Sequence, residues 1–274
     1  TRVVFQFFIM TILDTIVAQK KIEVANRQAI TTIAQLEQAA FFKLPTLSLK
    51  SSLADKNRTG IIAEFKRKSP SKGIINDTSS LQAVTQAYTQ FGASGISVLT
   101  DELFFGGRLS DLEEATINKV PLLRKDFMIS EYQIVEAKAS GASVILLIAA
   151  CLSPKQVRDM TSVAHDLGLE VLLEIHNEEE LGHINEAIDL VGVNNRNLKN
   201  FEVSIDISLN LINQIPSSIP AIAESGIDNP NTIVTLQKAG FTGFLIGERF
   251  MKETDPTIAF ANFVTELKLK QNAG

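Results

Sequence analysis

The pattern of apolar and polar positions changes character once along the chain. Residues 10–55 carry apolar positions at helical spacing, Ile12 and Ile16, then Ile30, Ile33 and Leu36, with no strand-like run among them. From residue 60 onward, short apolar runs alternate with amphipathic stretches. The runs fall at 61–65, 95–99, 120–123, 143–149, 169–175, 190–193, 221–223 and 243–246. They are rich in Val, Ile and Leu and lack strict alternation, which is the texture of parallel strands buried on both faces.

The stretches between the runs are punctuated as helices. Ser130 with Gln133 makes a capping-box pattern. Ser153, Pro154 and Gln156 supply an N-cap, a proline at the first helical position and an acceptor at the third, and Gly168 closes that helix. Asn177 with Glu180, Asn229–Pro230 and Asp255–Pro256 open further helices, and Gly240 ends one. Eight strands alternating with helices predict an α/β fold, a (β/α)₈ TIM barrel with an N-terminal helical extension. An open doubly wound sheet is the structural alternative. It would carry a glycine-rich dinucleotide turn after its first strand, whereas here the first glycine after residue 65 is Gly73.

Residues 10–274 read as a single TIM-barrel domain, with 10–55 as its helical extension, and residues 1–9 as an upstream extension. The apolar stretch at 3–13 is shorter than the ~20 residues of a membrane span. It also lacks the basic flank and small-residue cleavage site of a secretory signal.

Charge and cysteine content narrow the function classes. A net charge of −5 and a pI near 5.4 argue against nucleic acid or an anionic membrane as partner. An anionic ligand would need a local cluster of donors. One cysteine, Cys151, rules out an intrachain disulfide and suits a cytoplasmic location. His165, His176 and His183 have no zinc-site spacing, so no metal is expected.

In a barrel the chemistry sits at the C-terminal ends of the strands. Those ends carry Glu64 and Lys66; Phe105; Lys125, Asp126 and Phe127; Glu174 and His176; Asn194 and Arg196; Glu224, Ser225 and Gly226; and Gly247 and Glu248. Lysines and carboxylates converging in one mouth shift each other's pKa values and supply acids and bases without a cofactor. Structural readings compete at several positions. Glu64 and Lys66 could form a rim salt bridge, Asp126 could pair with Arg124, and Glu224 could hold its loop. Arg67 and Lys68 read as solvated charges, His176 as a loop histidine, and Cys151 as a packing residue. Small residues at the ends of the seventh and eighth strands, with a lysine from the first, suggest a phosphorylated substrate.

The segments Glu64-Phe65-Lys66-Arg67-Lys68-Ser69-Pro70-Ser71, Leu123-Arg124-Lys125-Asp126-Phe127, Gly192-Val193-Asn194-Asn195-Arg196-Asn197-Leu198, Ala223-Glu224-Ser225-Gly226-Ile227 and Leu245-Ile246-Gly247-Glu248 resemble the indole-3-glycerol phosphate synthase family in order and spacing. The resemblance runs from about residue 10 to 268 and includes the helical extension. It implies cofactor-free conversion of 1-(2-carboxyphenylamino)-1-deoxyribulose 5-phosphate to indole-3-glycerol phosphate, carbon dioxide and water in tryptophan biosynthesis.

The resemblance also implies roles. Lys125 would be the general acid of ring closure, and Glu64 and Lys66 would handle the protons of dehydration. The acid and base division among these three stays open. Glu174 would hold the lysines, and Asn194, Arg196, Glu224, Ser225 and Ser69 would orient the substrate. Phe105 and Phe127 would pack the aromatic ring. Lys66, Gly226, Gly247 and the Glu248 backbone would hold the phosphate, with the Glu248 side chain turned away. Phe250 is bulkier than the family pattern suggests. The expected partners are the small phosphorylated substrate and other tryptophan-pathway enzymes. Two related barrels fit less well. Phosphoribosylanthranilate isomerase would need a first-strand cysteine, and the tryptophan synthase α subunit lacks this lysine pair. A catalytically dead scaffold would have lost Lys125 or Glu64, and both are present.

Overall fold

The computed structural model describes residues 11–198 and 201–272; the reading of residues 1–9 therefore lies outside the described part. All eight apolar runs are parallel strands: β1 (Ile61–Phe65), β2 (Gly95–Leu99), β3 (Leu122–Lys125), β4 (Val144–Ile148), β5 (Glu170–Ile175), β6 (Leu190–Asn194), β7 (Ala221–Glu224) and β8 (Gly243–Ile246). Each pairs with its sequence neighbours. β1 pairs with both β2 and β8, through Ala63↔Ile96 and Ala63↔Ile246, so the sheet closes into a barrel. The third strand starts at Leu122, not 120, because Pro121 has no N–H for the ladder. It runs on through Arg124 and Lys125.

Strand alternation splits the apolar interior in two. Ile62, Leu123, Leu146, Leu172, Leu190, Ile222 and Leu245 point inward and fill the barrel. Their neighbours Ile61, Ala63, Phe65, Ile145, Val171 and Val191 point outward, against the helices. Burial of both sets explains why the runs show no alternation in sequence.

The N-terminal region is helical over α1 (Ile12–Ile30), α2 (Ile33–Leu36) and α3 (Leu49–Ala54), with turns and irregular chain over residues 37–48 of the helical extension. Thr11 and Asp14 make a capping box at the start of α1. Ser48 caps α3, and Glu170 at the foot of β5 accepts from Ser48 Oγ and from the N–H groups of Leu49 and Lys50. These bonds fix α3 across the N-terminal end of the barrel, where Leu49 enters the inner core.

The remaining helices are α4 (Leu81–Gln90), α5 (Glu102–Phe105), α6 (Leu109–Ala115), α7 (Glu131–Ala139), α8 (Pro154–Asp166), α9 (Asp206–Leu211), α10 (Pro230–Ala239), α11 (Glu248–Met251) and α12 (Pro256–Asn272). Ser153 and Gln156 form the expected box on α8. Ser130 caps α7, but Gln133 turns elsewhere: it accepts from Ile129 N–H and donates to Phe127 O, bracing the loop after β3. The segment after Asn177 is a 3₁₀ helix, Glu178–His183, rather than an α-helix. Phe250, unusually bulky for the family pattern, is fully buried among Tyr88, Phe260 and Phe263. No helix among the described residues is long and apolar enough to cross a membrane.

Candidate active site

The inward series of each strand continues past its last apolar residue into polar ones. Two residues beyond Ile62 stands Glu64, then Lys66; beyond Leu123, Lys125 and Phe127; beyond Leu172, Glu174 and His176; beyond Ile222, Glu224. The same alternation that fills the barrel thus aims these side chains into its C-terminal mouth. One cleft there is lined by Glu64, Lys66, Ser69, Phe105, Lys125, Phe127, Glu174, Asn194, Arg196, Glu224, Ser225 and Glu248, and α1 contributes Ile12, Leu13 and Ile16 to it.

At its floor the Lys125 ammonium donates to Glu174 Oε2 at 2.8 Å and lies 3.7 Å from Glu224 Oε2. Burial disfavours the ammonium, but Glu174, Glu224 and Glu64 outweigh burial and raise its pKa above the usual lysine value. Glu174 accepts a second hydrogen bond, from Asn194 Nδ2 at 3.1 Å. Burial opposes its charge too, yet Lys125 and His176 hold its pKa well below the ordinary range. Glu224 goes the other way. Burial and the neighbouring Glu174 push its carboxyl up, so near neutrality it keeps its proton while Glu174 stays ionised. Glu224 Oε1 is buried without a hydrogen-bond partner and lies against Gly192, where an added Cβ would sit 2.1 Å from it.

Lys66 pairs with Glu64 at 2.9 Å, and Ser97 Oγ donates to the other Glu64 oxygen at 3.3 Å. The rim salt bridge foreseen in the sequence is real, and it lies inside the cleft. Gly247 leaves room for it, since a Cβ there would approach Glu64 Oε1 to 2.7 Å.

The cleft has an aromatic end and a small-residue end. Phe105, on α5, and Phe127, after β3, stand 5.9 Å apart with planes inclined at 37°. At the other end Ser225 and Gly226 follow β7 and Gly247 follows β8; these line a second recess with Lys66, Lys72, Arg196, Glu248 and Arg249. Ser225 takes a left-handed φ of 65° and donates to Asn194 Oδ1 at 2.9 Å, an oxygen that also accepts from the Arg196 N–H. The sequence reading needs the Glu248 side chain turned away from this end. Here it lies inward, 3.8 Å from Arg196 and 3.9 Å from Lys72, because two cations attract it. Ser69 Oγ, at the near edge, is buried without a hydrogen-bond partner.

The fold adds to three further readings. Arg67 is not a free charge: it pairs with Asp111 at 2.5 Å and covers the Phe65 ring at 4.9 Å, while Lys68 donates to Leu103 O. Asp126 does pair with Arg124, but it also pairs with Lys20 of α1 at 2.9 Å. His176 does follow its strand directly into a loop, but it is buried between Glu174 and Glu180. The i, i+2 relation to Glu174 is the one sequence signal that could have found it. Lys20 had only its i, i+3 neighbour Glu23 as a signal, because its other two carboxylates, Asp101 and Asp126, reach it only in the fold. Among the described residues no cluster of His, Cys, Asp and Glu is arranged to hold a metal ion.

Fold and site together define a (β/α)₈-barrel enzyme with paired lysines and carboxylates between an aromatic end and a small-residue end. The indole-3-glycerol phosphate synthase family model matches residues 13–263. The chain is 45% identical over 258 residues to the indole-3-glycerol phosphate synthase of Bacteroides thetaiotaomicron, covering 94% of this chain and 99% of that one. It is 41% identical to that of Salinibacter ruber, covering 94% and 97%. The chain belongs to the indole-3-glycerol phosphate synthase family. Among solved structures, a tryptophan synthase complex from Pyrococcus furiosus contains a similar fold, with a TM-score of 0.59 at 16% identity over 77% of this chain and 98% of that one. A thiamine phosphate pyrophosphorylase from the same organism gives 0.57 at 14% identity over 81% and 98%. At such identities the likeness is one of fold.

Proposed function

We propose that the chain closes the indole ring of 1-(2-carboxyphenylamino)-1-deoxyribulose 5-phosphate, releasing carbon dioxide and water to give indole-3-glycerol phosphate, a step of tryptophan biosynthesis. The observation that carries this reading is the Lys125 ammonium, held by Glu174 between the Phe105–Phe127 pair and the Gly226–Gly247 end. A substrate with an aromatic acid at one end and a phosphate at the other spans that cleft. Both ends must be anchored before its ring carbon can reach the ribulose carbonyl.

As the ring carbon bonds to that carbonyl carbon, negative charge develops on the oxygen, and Lys125 donates its proton there. The ring nitrogen becomes an iminium, which Glu174 stabilises. Loss of carbon dioxide from the attacking carbon returns an electron pair to the ring. Dehydration then removes the new hydroxyl and a proton from the adjacent carbon. Lys66 and Glu64, 2.9 Å apart, serve as acid and base in this step. Asn194, Arg196, Ser225, Glu224 and Ser69 orient the polar groups, and Phe105 and Phe127 pack the ring. Lys66 and the backbone at Gly226, Gly247 and Glu248 take the phosphate; the Glu248 carboxylate must swing outward to admit it.

Incubating the pure protein with the carboxyphenylamino substrate, without metal or nucleotide, should produce indole fluorescence. No product at saturating substrate, or activity that a chelator abolishes and a divalent ion restores, would overturn the reading. A single cysteine, which allows no intrachain disulfide, fits a cytoplasmic setting. Association with other enzymes of the pathway follows from the family alone, and co-elution with them tests it.

A further inference from the structure

The reaction above gives His176 no task, yet its ring is buried in the mouth between two carboxylates. Its Nε2 stands 3.1 Å from Glu174 Oε1 and its Nδ1 3.1 Å from Glu180 Oε2. The His176 backbone N–H donates to the same Glu180 oxygen at 2.8 Å, so ring and main chain are tied to one carboxylate. Glu180 is fixed in turn, accepting from Asn177 Nδ2 at 3.0 Å and giving its own N–H to Asn177 Oδ1 at 3.2 Å. A neutral imidazole has one N–H and one lone pair, so between two carboxylates the lone pair must face an anion. The imidazolium carries an N–H on each side: Nδ1 bonds Glu180, and Nε2, buried without a hydrogen-bond partner in this structure, faces Glu174 Oε1 across 3.1 Å.

We infer that His176 is a positioning residue which works as an imidazolium, clamped by Glu180 and holding the Glu174 carboxylate in place beneath Lys125. This deepens the proposed function and rests on it for its kinetic consequences alone. Glu174 uses its oxygens separately: Oε2 takes Lys125, while Oε1 faces His176 Nε2 and Asn194 Nδ2. The groups facing the ring are Glu174, two residues before it, and Glu180 from the 3₁₀ turn; Cys151, after β4, feels the same two carboxylates. Burial, Glu174 and Glu180 push the Cys151 thiol up to about 12, so it stays neutral. Lys125 acts on the ring through Glu174. Burial opposes the imidazolium, but the two carboxylates outweigh it and raise the His176 pKa from 6.5 to about 9. Without that cation, Glu174 and Glu224 would compete for Lys125 on closer terms, and the ammonium would no longer be aimed by one carboxylate. The phosphate and ring contacts lie on other strands, so the loss falls on turnover rather than binding.

The test begins with ¹⁵N-labelled wild-type protein. The chain has three histidines, and His176→Asn assigns the signal of interest by its disappearance. Both ring nitrogens of His176 should carry protons at pH 7.5 and lose one only above pH 8. A neutral ring at pH 7 overturns the inference whatever the activity. The kinetic arm compares His176→Asn and His176→Gln, which keep an amide donor without charge, with His165→Asn, whose ring pairs with Asp189 on the outer face. The two His176 variants should lose about 10- to 100-fold in kcat, as for a slightly misplaced catalytic group, with KM changed by less than about three-fold. His165→Asn should match wild type. Wild-type kcat in His176→Gln shows that the charge is not needed and overturns the inference. An imidazolium in a wild-type protein that makes no indole product counts against the activity and for the clamp.

Discussion

At Lys125 one ammonium faces Glu174 at 2.8 Å and Glu224 at 3.7 Å, and substitution by methionine removes both the proton donor and the positive charge. The kcat of Lys125→Met should fall by about 10²–10⁴, the range of a lost general acid, while KM changes much less because the aromatic and phosphate anchors remain. Steady-state kinetics that showed wild-type kcat would pass the acid role to Lys66. Gly192 tests the site from the other side. Its Cα faces Glu224 Oε1, and a Cβ at 2.1 Å must displace that carboxyl. Gly192→Ala should therefore lose up to about 100-fold in kcat although residue 192 carries no reactive group. Rates equal to wild type would mean that the position of Glu224 does not matter. Glu64, Lys125, Glu174 and Glu224 were legible in sequence because each follows an inward apolar residue by two, and Lys66 follows Glu64 by two more. The inward turn of Glu248 was not legible. It depends on Arg196 and Lys72, which reach it from different loops.

On the scale of elements, α1 is joined to the barrel by a buried network of charge beside the apolar Ile16 and Val24. Lys20, 1% exposed, lies within 2.9 Å of carboxylate oxygens of Glu23, Asp101 and Asp126. Arg27 pairs with Glu23 and with Glu136, and Glu136 in turn binds the fully buried Arg124. Asp101 caps α5, which bears Phe105, and Asp126 adjoins both Lys125 and Phe127. Replacing Lys20 with Met leaves buried carboxylates without their cation and should cost about 3–5 kcal/mol in chemical denaturation. A change below about 1 kcal/mol would show that the network is not a structural joint. Sequence periodicity found α1 as a helix, but it did not find this joint. The four elements that build it are distant along the chain, and each charge alone resembles a solvated one.

For the whole molecule, the mouth couples stability to pH. Glu224 rises from 4.5 to about 8 and His176 from 6.5 to about 9 on folding. Both groups therefore bind more protons in the folded chain than in the unfolded one over those intervals. Their contributions are complete below pH 4.5 and 6.5 respectively, and are lost as pH rises through about 8 and 9. Calorimetry should show Tm falling between pH 6.5 and 9, and His176→Asn should flatten part of that fall. A Tm that rose over this range would contradict both assignments. The barrel itself was legible at this scale because eight runs buried on both faces admit few other folds, and the doubly wound alternative lacked its glycine turn.

The placing of Leu49 in the inner core has a consequence for traffic. With α3 bound to Glu170 across the N-terminal end and leucines filling the centre, the described part of the barrel is a vessel stopped at one end and open at the other. Substrate, carbon dioxide, water and product all pass between α1 and the strand ends. Any partner that accepted the product directly would have to wait at that open end, on the face where α1 stands.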